Sequence, residues 1–422
     1  MDRKALTNSG HFPTLIAAFL YFDVSFMVWV LLGPLAPFIS QELHLTPAQK
    51  GLLTAVPLLG GSLFRPILAA IADRIGGRKT GLFGMFITLL PLVLCWHFAH
   101  QLWHYYAAGF LLGIAGASFG VALPLASRWY PPEQQGLVMG IAGAGNSGTV
   151  LATLFAPRLA QHFGLHTTFV LAAIPLLTVM LIFFVCAKDN PAQKVAASLS
   201  DYAALMKEGD TYWMSFFYSL TFGGFVGLTS YLTLFFSDQY HLSKVRAGDF
   251  TTLVVIAGSL LRPVGGWLAD RLGGYRFLIM LLAGAGFAFG IMSTLPPLAV
   301  GTAILFCAMG MLGMGNGAVF QLVPLRFTTR VGIITGLVGA AGGLGGFFVP
   351  FGLGYLKGRT GYYGTGFAVY AGIFFIASVA LLALGRRWVR TWPREQVGLA
   401  AIFGLGIPRE TYAAVPLPAE GD

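Results

Sequence analysis

Charge is what this sequence has least of. Asp, Glu, Lys and Arg make up 10% of its 422 residues, against about a quarter in soluble domains. An ordinary water-soluble globule is thereby excluded. Cysteine is scarce as well: Cys95, Cys186 and Cys307 stand far apart, within or at the end of apolar segments. Neither a disulfide framework nor a Cys-x-x-Cys metal site can be built from them. No nucleophile–base pair, metal-ligand set or cofactor box is present, so the chain does not read as an enzyme and no cofactor or metal is expected. The formal charge of +10 comes without a basic stripe interleaved with polar surface, which argues against nucleic acid as a partner.

Apolar residues are what remain: 56% of the chain, with 36 Phe and 56 Gly and a mean hydropathy of +0.75. Such a composition belongs in a lipid bilayer, where small residues let helices approach closely. The N-terminal MDRKALTNSGHF is short and polar and no small-residue cleavage site follows the next apolar run, so it reads as the start of a retained helix. About 20 apolar residues are needed to cross a hydrocarbon core of about 30 Å. Twelve segments qualify: 13–39, 51–72, 79–99, 103–127, 136–161, 166–187, 211–237, 248–270, 277–296, 298–325, 332–357 and 362–385.

The one sizeable polar interruption, 188–210, divides the spans into two sets of six. The expected plan is a six-helix half at 1–187, a cytoplasmic linker at 188–210, a second half at 211–388 and a cytoplasmic tail at 389–422. If both termini are inside, eighteen Lys and Arg fall in inside segments and only Lys50, Arg158, Lys244, Arg246, Lys357 and Arg359 outside. That asymmetry predicts cytoplasmic termini and a multi-pass protein of the inner (cytoplasmic) membrane, expected as a monomer. The Arg cluster of the tail reads as an anchor beside the last helix.

SLFRPILAAIADRIGGRK at 62–79 returns as SLLRPVGGWLADRLGGYR at 259–276, half of its positions identical. Gly113, Gly116 and Gly120 match Gly310, Gly313 and Gly317, and Gly136, Gly140 and Gly143 match Gly332, Gly336 and Gly339, all at an offset of about 196 residues. The halves are therefore parallel duplicates, a plan in which substrate is held near the midplane between repeats.

Each copy buries one arginine. Arg65 lies eight residues before Asp73 and Arg262 eight before Asp270, so a rise of about 1.5 Å per residue puts each roughly 12 Å deep. An arginine at that depth costs at least about 2.5–3.5 kcal/mol on insertion scales and needs a polar cavity or a partner. A hidden ion pair is the structural alternative. Of sixteen acids, however, only Asp23 is deep in a span. A bound anion is the simpler second partner, and the planar guanidinium fork suits a planar or near-planar oxyanion. Asp23 lies ten positions into the first span, roughly 15 Å deep. It reads either as a fixed counter-ion to one arginine or as a proton carrier, and both remain open on sequence.

The fifth and eleventh spans carry GIAGAGNSGTVLATLFAP from Gly140 and GLVGAAGGLGGFFVP from Gly336. Small residues every three or four positions serve close helix packing. A phosphate cradle does not fit, because neither a strand nor a following Lys-Ser/Thr accompanies them.

DRIGGRK at 73–79 and DRLGGYR at 270–276 resemble the signature of the major facilitator superfamily in the loops after helices 2 and 8. A glycine stands four residues before the Asp in that pattern; Gly266 keeps it and Ala69 departs from it. Within the superfamily, AGAGNSG and GLVGAAGGLGGFFVP resemble the paired nitrate signatures of the nitrate/nitrite porter family. GASFGVALPLASRWYPPEQQG (116–136), YSLTFGGFVG (218–227), GNGAVFQLVP (315–324) and FDVSFMVWVLLGPL (22–35) are similar to that family too. The likeness covers nearly all of the membrane domain and fades in the linker and after about Trp388.

The resemblance implies a major facilitator fold of twelve transmembrane helices, transporting nitrate or nitrite by alternating access. Arg65 and Arg262 would be its substrate-binding arginines, Asn146 and Tyr218 would add hydrogen bonds, and Phe119 and Phe222 would close above and below the anion. Asp73, Arg74, Asp270 and Arg271 would act as charge latches, and Gly143, Gly145, Gly339, Gly342 and Gly343 would ease rocking. On sequence alone any single Phe reads as core, and Asn316 as a partner in an interhelical hydrogen bond. FDVSFMVWVLLGPL looks like the symporter-type branch, which would make Asp23 the coupling acid for proton–nitrate symport. The alternatives are nitrate/nitrite antiport without protons, carriage of another small anion, and a nitrate sensor. A sensor would need a signalling domain larger than 188–210 or 389–422.

Overall fold

The structure, a computed structural model, describes residues 9–191, 199–327 and 331–392. Among these the chain is all-helical, with twelve helices long and apolar enough to span a membrane. They are α1 (Phe12–Leu43), α2 (Pro47–Ile75), α3 (Gly77–His97), α4 (Leu102–Ser127), α5 (Val138–Phe163), α6 (Leu165–Cys186), α7 (Gly209–Tyr240), α8 (Lys244–Leu272), α9 (Gly274–Met292), α10 (Leu298–Arg326), α11 (Gly332–Thr360) and α12 (Gly364–Trp388). A further short helix, Leu199–Met206, stands in the stretch expected to be a linker. The tail from 393 onward, with its expected anchor, lies outside the described residues, as do Arg3, Lys4, Lys194 and Arg330.

At its two extremes burial runs opposite to hydrophobicity. α6 is the most apolar of the twelve, yet only 28% of its apolar stretch is buried, while α7, among the least apolar, is 89% buried. That is the ordering a lipid solvent imposes: helices facing acyl chains are greasy all round, and polar groups gather inside. Phe86, Leu181, Val185, Ile376 and Val379 accordingly point outward.

The helices run past the expected limits where caps extend them. α1 continues to Leu43 and α7 to Tyr240, each ended by a left-handed histidine, His44 (φ 51°) and His241 (φ 53°). Thr46 and Ser243 then cap α2 and α8 with their side chains. The same turn is thus built in both sets of six from HLT and HLS.

Three spans are locally broken. In α1 the ladder slips at Val30–Leu31, just ahead of Pro34, which has no N–H to give. In α4 it slips between Gly116 and Phe119, and in α5 a 3₁₀ turn occupies Ala144–Ser147. All three breaks border the site described below.

Glycine makes the closest helix contacts. A Cβ at Gly51 would come 2.6 Å from the Pro350 carbonyl, and one at Gly248 would come 2.7 Å from the Pro157 ring. Glycine at these positions allows α2 to lie on α11 and α5 on α8.

Asp210, at the start of α7, is bonded by Trp388 and Trp392 from the end of α12, and the backbone near Lys188 bonds Thr14 in α1. The N-terminal start, the linker region and the end of α12 therefore share one face, called here the terminal face. At the opposite, far face the two sets of six are clasped: Lys50 pairs with Asp238 at 2.8 Å and Arg158 with Asp249 at 2.6 Å. Lys244 also bonds Gln41 there. On the terminal face the ion pairs Asp73–Arg128, Arg326–Asp210 and Arg326–Glu208 each stay within one set of six. Among the described residues, then, the ion pairs that join the two sets sit on the far face.

Candidate functional site

Arg65 is 3% exposed, in mid-α2. Its guanidinium is held by two main-chain carbonyls, Nε donating to Gly116 at 3.0 Å and Nη1 to Gly339 at 2.5 Å. The first acceptor exists because α4 slips: the Gly120 N–H bonds Ala117 instead of Gly116, leaving that carbonyl to the arginine. The second belongs to α11, so Arg65 bridges the two sets of six. Nη2 is buried with no partner.

Aromatic rings surround this group. The Arg65 guanidinium carbon lies 5.0 Å from the Phe222 ring centroid, 5.3 Å from Trp29 and 5.6 Å from Phe119. Arg262, in α8, lies 5.7 Å from the same Phe119 ring and 5.9 Å from Phe320. Cations at such distances are attracted to ring faces. One phenylalanine is therefore shared by both arginines, and Nη1 of Arg262 is also buried without a partner.

Neither arginine has a carboxylate. Among the described residues the six ion-pair contacts all lie elsewhere. Asp23 is 7% exposed, and its Oδ1 accepts a 2.6 Å bond from Ser147 Oγ in the broken turn of α5. Of the two readings of Asp23, the fixed counter-ion is not the arrangement found.

Tyr218 and Asn146 complete the inner surface. Tyr218 is fully buried, stacks on Phe222 at 5.1 Å and 3°, and meets Phe320 edge-on at 4.7 Å; its hydroxyl lies beside Arg262 without a well-formed hydrogen bond. Asn146 sits in the 3₁₀ turn of α5, fully buried, with both carboxamide atoms unpartnered. Its main-chain carbonyl accepts from Ser259 Oγ at 3.5 Å, one turn before Arg262. The 3₁₀ turn thus rests against α8 beside the second arginine. Buried polar groups normally find partners, so this concentration of unpartnered polar atoms around two cations sets the region apart from the rest of the described interior.

The expected gating residues divide. A Cβ at Gly342 would come 2.5 Å from Tyr218 and 3.0 Å from Phe222, so glycine there admits the stacked pair. Gly145 is pressed in the same way on Phe22 (2.5 Å), and Gly343 on Ser62 (3.2 Å). Gly339 has ordinary contact with Phe119 at 3.5 Å, and Gly143 meets nothing within 4 Å. Asp73 is latched to Arg128 at 2.6 Å, while Arg74 is exposed. In the second copy Asp270 and Arg271 are both exposed, and Arg271 stacks 3.9 Å over Trp267. Arg326 turns instead to Asp210 (2.5 Å) and Glu208 (3.0 Å). Among the described residues the repeated motif therefore does not make a repeated latch.

Sequence reasoning missed Trp29, Phe320, Ser147 and the Gly116 carbonyl. All four stood inside motifs that resemble the family, Trp29 in FDVSFMVWVLLGPL, Gly116 in GASFGVALPLASRWYPPEQQG, Ser147 in AGAGNSG and Phe320 in GNGAVFQLVP, but nothing within those strings set them apart. Asn316, expected to bond another helix, has no partner for either carboxamide atom.

Comparison with known proteins accords with this arrangement. The Major Facilitator Superfamily profile matches residues 17–350. The nitrite extrusion protein of Bacillus subtilis is 36% identical over 358 residues, covering 85% of this chain and 90% of that protein. The probable nitrate/nitrite transporter NarK2 of Mycobacterium tuberculosis is 36% identical over 352 residues, 82% of this chain and 89% of its own length. Among solved structures, a D-xylose-proton symporter superposes with a TM-score of 0.74 at 13% identity, covering 88% of this chain and 97% of that one, a likeness of fold alone. The chain belongs to the major facilitator superfamily, and within it to the nitrate/nitrite porter family that these bacterial relatives represent. It is a multi-pass transporter of the cytoplasmic membrane, not an enzyme.

Proposed function

We propose that this chain carries nitrate and nitrite across the cytoplasmic membrane by alternating access, with Arg65 and Arg262 as the two arms of one anion clamp. The observation that carries this reading is the pair of arginines around a single Phe119 ring, Arg65 buried and Arg262 half-buried, each with a buried, unpartnered N–H and, among the described residues, neither with a carboxylate. Two forks of coplanar donors fit a flat oxyanion. The Phe119 and Phe222 rings flanking Arg65 suit a planar guest, and Tyr218 and Asn146 supply further hydrogen bonds. The relatives' names support nitrate and nitrite as the anions.

The excess of Lys and Arg supports a cytoplasmic terminal face. Lys50–Asp238 and Arg158–Asp249 would then hold the two halves together on the outer side. Two halves, 1–187 and 211–388, rock about the clamp in a monomer, with Asp73 and Arg74 and their counterparts Asp270 and Arg271 at the cytoplasmic hinge. Rocking must release the Arg65–Gly339 bond, so Arg65 reports the state of the halves as well as the presence of substrate.

Transport is coupled to a proton carried by Asp23. This acid lies near the site, bonded to Ser147 next to Asn146, and has no cation partner, the setting of an intramembrane relay. Exchange of nitrate for nitrite without protons is the competing mode. Counterflow of labelled nitrate in proteoliposomes, with and without an imposed pH gradient, tests both levels. Accumulation driven by an inward proton gradient is expected. Movement only against internal nitrite, indifferent to pH, would remove the proton step, and displacement by formate, acetate or phosphate as readily as by nitrite would remove the substrate assignment.

A further inference from the structure

Buried donors without partners extend beyond the four polar residues of the clamp. Asn316 in α10 is fully buried with both carboxamide atoms free, and Thr221 in α7 is 1% exposed with its hydroxyl free. Contacts on either side of Asn316 locate it. A Cβ on Gly315 would come 2.6 Å from the Thr221 methyl, and one on Gly317 would come 2.7 Å from the Arg262 carbonyl. α10 is therefore wedged between Thr221 and Arg262 at the level of Asn316. One turn further along the same face, Phe320 lies against Arg262 (5.9 Å) and Tyr218 (4.7 Å). Thr221 is likewise three residues from Tyr218 and next to Phe222.

The repeat adds a second reason. Gly113, Gly116 and Gly120 correspond to Gly310, Gly313 and Gly317, which makes Asn316 the counterpart of Phe119. One half offers a ring face to both arginines, and the other offers a carboxamide at the related position. Such a departure from symmetry suits a guest whose flat face is covered from one side and whose edge is hydrogen-bonded from the other.

We propose that Asn316 and Thr221 form a specificity pair that donates to the third oxygen of nitrate, the one nitrite lacks, while the arginines hold the oxygens common to both. This inference rests on the clamp reading above. Nitrate presents three acceptor oxygens in a plane and nitrite two. Donors that engage only the third oxygen strengthen nitrate binding and leave nitrite untouched, because a site built for a polar group discriminates through the hydrogen bond that the analogue cannot make.

The test is equilibrium binding of nitrate and of nitrite to the purified full-length protein. It compares wild type with Thr221→Val, Thr221→Ser, Asn316→Leu and the Thr221→Val/Asn316→Leu pair. Thr221→Val should weaken nitrate about tenfold and change nitrite less than about twofold, Thr221→Ser should restore nitrate binding, and the pair should weaken nitrate further. Because both sites are unsatisfied in the protein, the apolar replacements should leave the thermal midpoint equal or higher. Equal weakening of both anions, or no change in either, would overturn the proposal; so would failure of Thr221→Ser to rescue. If Asn316→Leu does not fold, the Thr221→Val and Thr221→Ser comparison decides alone. Failure of the wild type to bind either anion would instead refute the clamp reading.

Discussion

Replacing Arg65 by lysine preserves charge and removes geometry, and the structure sets how much that removal is worth. The guanidinium spends Nε on Gly116 and Nη1 on Gly339, at 3.0 and 2.5 Å, and keeps Nη2 for a guest. A lysine has one nitrogen at the end of its chain and cannot span two carbonyls from different helices while also turning a donor to an anion. At least one charge-assisted hydrogen bond is lost, about 1.5–3 kcal/mol, which corresponds to a factor of roughly 10–150 in affinity. Arg65→Lys should therefore raise the dissociation constant for nitrate by about that factor. It should also lower the thermal midpoint without ligand, because the bond to Gly339 joins the two sets of six. Arg262→Lys should weaken nitrate comparably, through loss of the fork, with a smaller effect on the ligand-free midpoint. The assay is nitrate binding together with thermal unfolding in one detergent. An Arg65→Lys protein that binds nitrate within twofold of wild type would refute the geometric argument.

Three further outcomes follow from named contacts. Asp23→Asn keeps an acceptor for the Ser147 hydroxyl, so the protein should fold and still exchange nitrate for nitrite while nitrate-linked proton uptake in proteoliposomes disappears; undiminished proton uptake would show that another group carries the proton. Gly342→Ala forces a methyl to 2.5 Å from Tyr218 and should cost about 1–3 kcal/mol of packing and weaken nitrate binding, whereas Gly143→Ala, with nothing within 4 Å, should leave binding unchanged. Identical behaviour of the two variants would contradict the packing assignment. Breaking a far-face clasp with Lys50→Gln and Asp238→Asn together should raise labelling of a Ser230→Cys reporter by an impermeant thiol reagent several-fold, since Ser230 is buried against Gly33 near that closure; unchanged labelling would mean the clasp does not hold that face shut.

What was legible in the sequence was what carries an energetic cost by itself. Twelve spans follow from apolar length alone, and Arg65 and Arg262 announce themselves because an intramembrane arginine is expensive wherever it points. The scarcity of deep acids directed attention away from an ion pair, and among the described residues Asp23 is bonded to a hydroxyl and not to either arginine. Contacts created by local departures from helical geometry were not legible. The Gly116 carbonyl becomes an acceptor only because α4 slips by one hydrogen bond, and Ser147 reaches Asp23 only because α5 tightens to a 3₁₀ turn. Neither slip has a sequence signature beyond abundant glycine, which also serves ordinary packing. The charge contacts around the repeated motif were not legible for a related reason: Asp73 and Asp270 share a string, but Asp73 pairs with Arg128 at the end of α4, while Arg326 at the end of α10 pairs with Asp210. Asp210, assigned to the linker by its polarity, turned out to be a buried acceptor for Arg326, Trp388 and Trp392.

The central claim is that Arg65 and Arg262 grip the same anion, and a double-mutant cycle on nitrate binding tests it most directly. Dissociation constants would be measured for wild type, Arg65→Gln, Arg262→Gln and the double variant. If one anion bridges the pair, either single change already dismantles the clamp, and the double variant should bind scarcely worse than the weaker single one, a strongly non-additive cycle. Free-energy losses that simply add, or one arginine whose removal leaves nitrate binding at the wild-type level, would contradict the shared clamp.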